Sequence, residues 1–85
     1  WKIVEAVGEM ADLNLGTIYS FEGDKYGMSK GIIDNKGKIL EMTDSSYKSQ
    51  FDGMQTEYSF DYKFDGDKLI ITPTGSGQSF TLEKQ

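Results

Sequence analysis

The chain is 85 residues long, 36% apolar and 27% charged, the composition of a soluble globular protein, and at that length it forms one domain (1–85). It has no cysteine and no histidine, which removes disulfides, thiolate metal sites and thiol nucleophiles, and also the commonest general base and zinc ligand. A net charge of -5 and an isoelectric point near 4.5 argue against nucleic acid or an anionic membrane as a partner, because phosphate binding needs a basic surface.

The chain opens at Trp1 without the basic segment that begins an export signal, so any such signal has been removed or was never present. No run approaches the roughly 18 apolar residues of a transmembrane helix. Strands are expected at 1–7, 17–22, 25–33, 38–43, 46–51, 56–64, 68–73 and 78–84. In the first, Ile3 and Val7 line up with Trp1 at period two. From Glu5 to Leu15 the alternation breaks; Ala6, Met10 and Leu13 fall at helical spacing, predicting a short helical turn or an ordered loop capping one end of the sheet. Gly8 weakens any long helix there.

Further along, Tyr19 aligns with Phe21, and Tyr26, Met28 and Ile32 share a parity, with Gly23-Asp24 as the turn between them. Asp34-Asn35-Lys36-Gly37 reads as the next turn. Segments 38–43 and 46–51 are either two strands or one strand bent at Asp44–Ser45. The clearest run is Thr56–Phe64: Tyr58, Phe60, Tyr62 and Phe64 alternate with Glu57, Ser59, Asp61 and Lys63, a half-buried strand with a forced choice of inner face. With Gly66-Asp67 as a two-residue loop, Asp65 pairs with Lys68 and Phe64 with Leu69, which puts Leu69 and Ile71 inside. Pro73 stands at a strand end, where a missing donor does least harm. Phe80 and Leu82 share a face. Tyr19–Tyr26 and Tyr62–Leu69 echo one another, as two hairpins reusing one turn.

Short strands joined by tight turns run up and down, and a meander of eight has two edges to protect. Closing the first strand on the last removes both, so the expected fold is all-β: an up-and-down antiparallel meander closing into a small barrel.

Trp1-Lys2-Ile3-Val4, Tyr19-Ser20-Phe21, Phe64-Asp65-Gly66-Asp67-Lys68-Leu69 and the ending Phe80–Lys84 together resemble the short lipocalin-like domains of the calycin group, found in secreted or lipid-anchored proteins of Gram-negative gut bacteria. In that family an opening tryptophan packs across the barrel bottom, the place the resemblance gives Trp1. It implies a non-enzymatic exported barrel (secreted, periplasmic or lipid-anchored to the outer membrane) that binds a small apolar or amphipathic molecule, without a cofactor.

The candidate ligand-binding set is Tyr19, Phe21, Tyr26, Met28, Met42, Tyr58, Phe60 and Tyr62. Amphipathic tyrosines and adaptable methionines suit an apolar pocket, and the same residues also suffice to fill the core of so small a barrel. Glu22, Asp24, Asp65 and Asp67 offer oxygen ligands but lack a calcium-loop pattern and sit in ordinary Asp-Gly turns. The pairs Glu57/Asp61 and Glu41/Asp44 could serve glycoside hydrolysis, yet the first lies on the polar face of its strand. No catalytic or metal residue is assigned. If the barrel is instead a packed interaction or scaffolding module of the cell envelope, some aromatics must point outward, with Tyr47 and Phe51 the candidates.

Overall fold

In the computed structural model, which describes residues 1–85, the strands are β1 (Lys2–Val7), β2 (Ile18–Glu22), β3 (Lys25–Lys30), β4 (Ile33–Met42), β5 (Ser46–Phe51), β6 (Glu57–Asp65), β7 (Lys68–Pro73) and β8 (Ser79–Glu83). Each pairs antiparallel with the next, and β8 pairs back onto β1, closing the barrel. No helix is long and apolar enough to cross a membrane.

Glycine sets three of the hairpins. Gly23, Gly31 and Gly66 take φ of 61, 61 and 65° as the first residue of two-residue loops, a conformation that costs glycine almost nothing. Two of these turns fall as expected, and Asp65 faces Lys68 while Phe64 faces Leu69. The third does not. The chain reverses at Gly31-Ile32, so Asp34-Asn35-Lys36-Gly37 lies within β4, and Ile32 is fully exposed in the turn instead of sharing the inner face with Tyr26 and Met28. Gly37 then has a different use: a Cβ there would meet Phe51 Cα at 2.7 Å, and the missing side chain lets the Tyr26 and Phe51 rings approach to 5.7 Å across β4. Between β4 and β5 the turn is a real break. Thr43 Oγ1 accepts the Ser46 amide at 3.0 Å and the Ser45 amide at 3.3 Å, so 38–43 and 46–51 belong to separate strands.

Two bulges reverse side-chain parity where period two would have carried it on. One lies between Ile3 and Glu5, so Ile3 and Ala6 both face inward and Val7 is exposed. The other lies between Ile39 and Glu41 and brings Met42 opposite Tyr47. The Glu5–Leu15 break is a single 3-10 turn, Ala11–Asn14, which buries Ala11 and leaves Met10 and Leu13 exposed. Three-residue eclipsing in so tight a turn offers one inward position, not an amphipathic face.

The buried core is one cluster in which Tyr26 and Tyr47 join a group of mostly aliphatic residues on one side of the barrel. Ile3 of β1, Leu69 and Ile71 of β7, and Phe80 and Leu82 of β8 are buried, closed over by Ala11. The β1–β2 seam is thin by comparison: one ladder pair, Lys2 with Ile18, flanked by backbone bonds from Ile3 N to Thr17 O and from Tyr19 N to Trp1 O.

Candidate functional site

Strands β2 to β6 supply the other side of the interior, where β2, β3, β5 and β6 turn mostly aromatic residues inward and β4 contributes Gly37, Ile39 and Met42. Tyr26 and Tyr47 are buried at the middle, rings 5.8 Å apart with their hydroxyls 3.5 Å from one another. They divide the interior. Above them, toward the end carrying the 3-10 turn and the Gly31-Ile32 loop, lies a cavity of about 210 Å³ lined by Tyr19, Tyr26, Met28, Phe51, Tyr58 and Phe60. Below them, toward the Gly23-Asp24 and Gly66-Asp67 turns, lies one of about 80 Å³ lined by Trp1, Phe21, Met42, Tyr47, Tyr62, Phe64 and Leu69. The two share no lining residue.

All eight candidate residues therefore line one cavity or the other, in two groups, with Met42 55% exposed at its edge. Tyr19, Tyr26, Met28, Tyr58 and Phe60 line the larger chamber; Phe21, Met42 and Tyr62 line the smaller. The smaller one is nearly filled. Trp1 lies 6.0 Å from Phe64, and the Tyr62 hydroxyl donates to the Thr43 carbonyl at 2.5 Å, fixing that ring across the opening. Phe64 keeps the inward parity of β6 yet is 63% exposed, because it is the last inward position before the turn, with Trp1, Tyr62 and its ladder partner Leu69 on one side and solvent on the other. Tyr58, 37% exposed, occupies the corresponding place at the rim of the larger chamber.

Phe51 lines the larger chamber and Tyr47 the smaller one; neither points outward. The signal was present in β5, where Tyr47, Ser49 and Phe51 alternate with Ser46, Lys48 and Gln50. Ser49 had no signal of its own. It is 0% exposed, and its Oγ faces the Tyr26 phenol, close enough to act on it electrostatically but outside the distance and angle of a full hydrogen bond. Burial pushes the phenols of Tyr19, Tyr26 and Tyr47 above the ordinary tyrosine range, and the neighbouring Tyr47 raises Tyr26 further. These side chains are neutral hydrogen-bonding groups at any physiological pH.

Outside the barrel the acidic residues form no ligand set. Glu22 and Asp24 sit in a different hairpin from Asp65 and Asp67, and no group of three or more acidic side chains is arranged to hold a metal ion. Lys48 bridges Glu41 at 3.6 Å and Glu57 at 3.7 Å on the solvent face. A depression of about 520 Å³ on the β2–β4 wall is larger than either internal cavity, but Ser20, Glu22, Lys25, Lys36 and Asp52 make it polar and charged in both signs. No protein-family model, curated protein or solved structure matches the chain.

Proposed function

We propose that this chain is a lipocalin-like barrel that binds a small apolar or amphipathic molecule in the chamber formed by β2–β6. The observation that carries this reading is the chamber itself: about 210 Å³, six side chains, every one apolar or aromatic. An apolar cavity of roughly 150 Å³ is already enough to hold benzene. The closed eight-strand meander and the place of Trp1 at one barrel end support the lipocalin-like assignment. With it goes an exported location, in the periplasm, the medium or anchored at the outer membrane. The reading includes no catalytic step and no cofactor.

Toluene titrated into the protein and followed by NMR tests it. Shifts centred on Met28, Phe51, Tyr58 and Phe60 support the chamber, and Met28→Trp, which fills it, is expected to abolish them. Shifts that survive Met28→Trp, or none in the original protein, overturn the reading. A second reading, an interaction module of the envelope, is favoured by one observation. Val7, Met10, Leu13, Ile32 and Ile33 are all exposed around the same barrel end. Light scattering of mixtures with envelope proteins tests it, and a lack of any association removes it.

A further inference from the structure

The lining of the larger chamber is unusual in what it lacks. It holds five aromatic rings and one thioether, with no Lys, Arg, Asp or Glu. The rings follow one another around the wall: Tyr19 to Tyr26 at 5.9 Å, Tyr26 to Phe51 at 5.7 Å, Phe51 to Tyr58 at 5.8 Å. Ring faces are the negative part of an aromatic quadrupole, so each face that a ring turns to the cavity favours a cation and disfavours an anion. A carboxylate ligand would find phenol O–H donors but no cation to neutralise it, and it would give up its hydration on entry.

The loops around this end point the same way. Residues 8–17, 31–32, 52–56 and 74–78 contain Glu9, Asp12 and Asp52 and no basic residue. The Lys30 ammonium also reaches this end, donating to the Leu13 carbonyl, so three carboxylates stand against one ammonium, a balance that still favours cations over anions at the mouth. Resting on the reading of the chamber as a binding site, we infer that it is an aromatic cage for an organic cation, a quaternary ammonium group carrying a small apolar or hydroxylated substituent. A primary ammonium fits poorly, because it brings three N–H donors into a lining whose only acceptors are phenol oxygens. A quaternary ammonium brings none. The raised phenol pKa values are consistent with this recognition: the rings are neutral, and attraction comes from their faces.

Choline and 3,3-dimethylbutan-1-ol have the same shape, with carbon in place of nitrogen in the alcohol, and are the probes of choice. Titrated into the intact chain by NMR, choline is expected to bind at least tenfold more tightly than the alcohol, a ratio worth about 1.4 kcal/mol and within reach of a few desolvated cation–π contacts. Tyr58 stands at the rim, so Tyr58→Leu leaves the fold intact by circular dichroism. It is expected to weaken choline about fivefold while changing the alcohol less than twofold, and Tyr58→Phe, which keeps the ring, restores choline binding. Equal binding of the two probes, or tighter binding of the alcohol, overturns the cage and leaves an apolar chamber standing. Toluene binding with no choline binding does the same. If toluene, choline and the alcohol all fail to bind, the chamber reading falls together with the cage.

Discussion

Leu82 and Tyr58 point into one barrel and meet opposite surroundings. Leu82 is 0% exposed among Ile3, Leu69, Ile71 and Phe80, whereas Tyr58 is 37% exposed beside a cavity. Strands β7, β8 and β1 contribute mainly branched aliphatic side chains, Ile3, Leu69, Ile71 and Leu82, each buried, with Phe80 beside them. Strands β2, β3, β5 and β6 contribute flat rings, which apart from the stacked Tyr47–Phe60 pair meet at tilted or edge-on angles and leave gaps at their corners. One wall holds the barrel closed and the other holds it open. A chain this short buries little surface, so it cannot make both walls solid without giving up its chamber.

The sharpest way to break this comparison is to truncate a residue on each side. Leu82→Ala is expected to cost about 3–4 kcal/mol, since the wall around it cannot collapse into the space left behind. Phe60→Ala is expected to cost less, about 2 kcal/mol: the side chain stacks on Tyr47 at 4.8 Å but already borders empty volume, so part of its surface was never packed. Urea denaturation of both variants measures the difference. Equal losses would mean that the aromatic wall is as tightly packed as the aliphatic one.

Alkaline pH acts on the aromatic wall through its buried phenols. For a phenol whose native pKa is raised, the folded and unfolded chains both hold the proton below the unfolded value near pH 10, and stability there is complete. Above that pH the unfolded chain releases protons that the folded one keeps, so stability falls as pH climbs toward the native values. Tyr26 and Tyr47 should each contribute a slope of up to about 1.4 kcal/mol per pH unit. Denaturation midpoints between pH 8 and pH 11 will show the decline beginning near 10, and Tyr47→Phe should make it shallower. A flat profile would mean that these phenols reach water.

The smallest expected effect has the opposite sign. Ser49→Ala removes a buried hydroxyl without a partner and should stabilise the protein by about 1 kcal/mol. A loss of stability on thermal melting would show that the hydroxyl is bonded after all.

Much of this division could be read in the sequence, and what escaped has a physical cause. Tyr58, Phe60 and Tyr62 alternate with charged or polar residues, so their inner face was fixed by the cost of burying Glu57, Asp61 and Lys63. The Gly66-Asp67 loop then carried that register into β7. Bulges at the Ile3/Glu5 and Ile39/Glu41 steps escaped, because an extra residue in one strand is a relation between two strands and leaves no mark in either. Gly31 and Gly37 are the same residue type six positions apart, one turning the chain and one making room for rings. Composition alone assigned the turn to the richer Asp34–Gly37 cluster. The candidate set was legible as a set of inward residues; its division into two chambers depends on Tyr26 and Tyr47 meeting across the axis, which no local pattern encodes.

The ladder between β1 and β8 also fixes an order of events in time. Every other strand pairs with its sequence neighbour, whereas Ile3 must find Leu82 at the far end of the chain. Closing so long a loop forfeits chain entropy before any contact rewards it, so the hairpins from β2 to β7 are expected to assemble first and closure to come after the rate-limiting barrier. Ile3→Val, costing about 1 kcal/mol, should then speed unfolding and leave the folding rate unchanged; a slowed folding limb in stopped-flow experiments would place closure earlier. The aliphatic wall, last to form, acts as a latch: the chamber takes shape in an open sheet and becomes an enclosure only when the two ends of the chain meet.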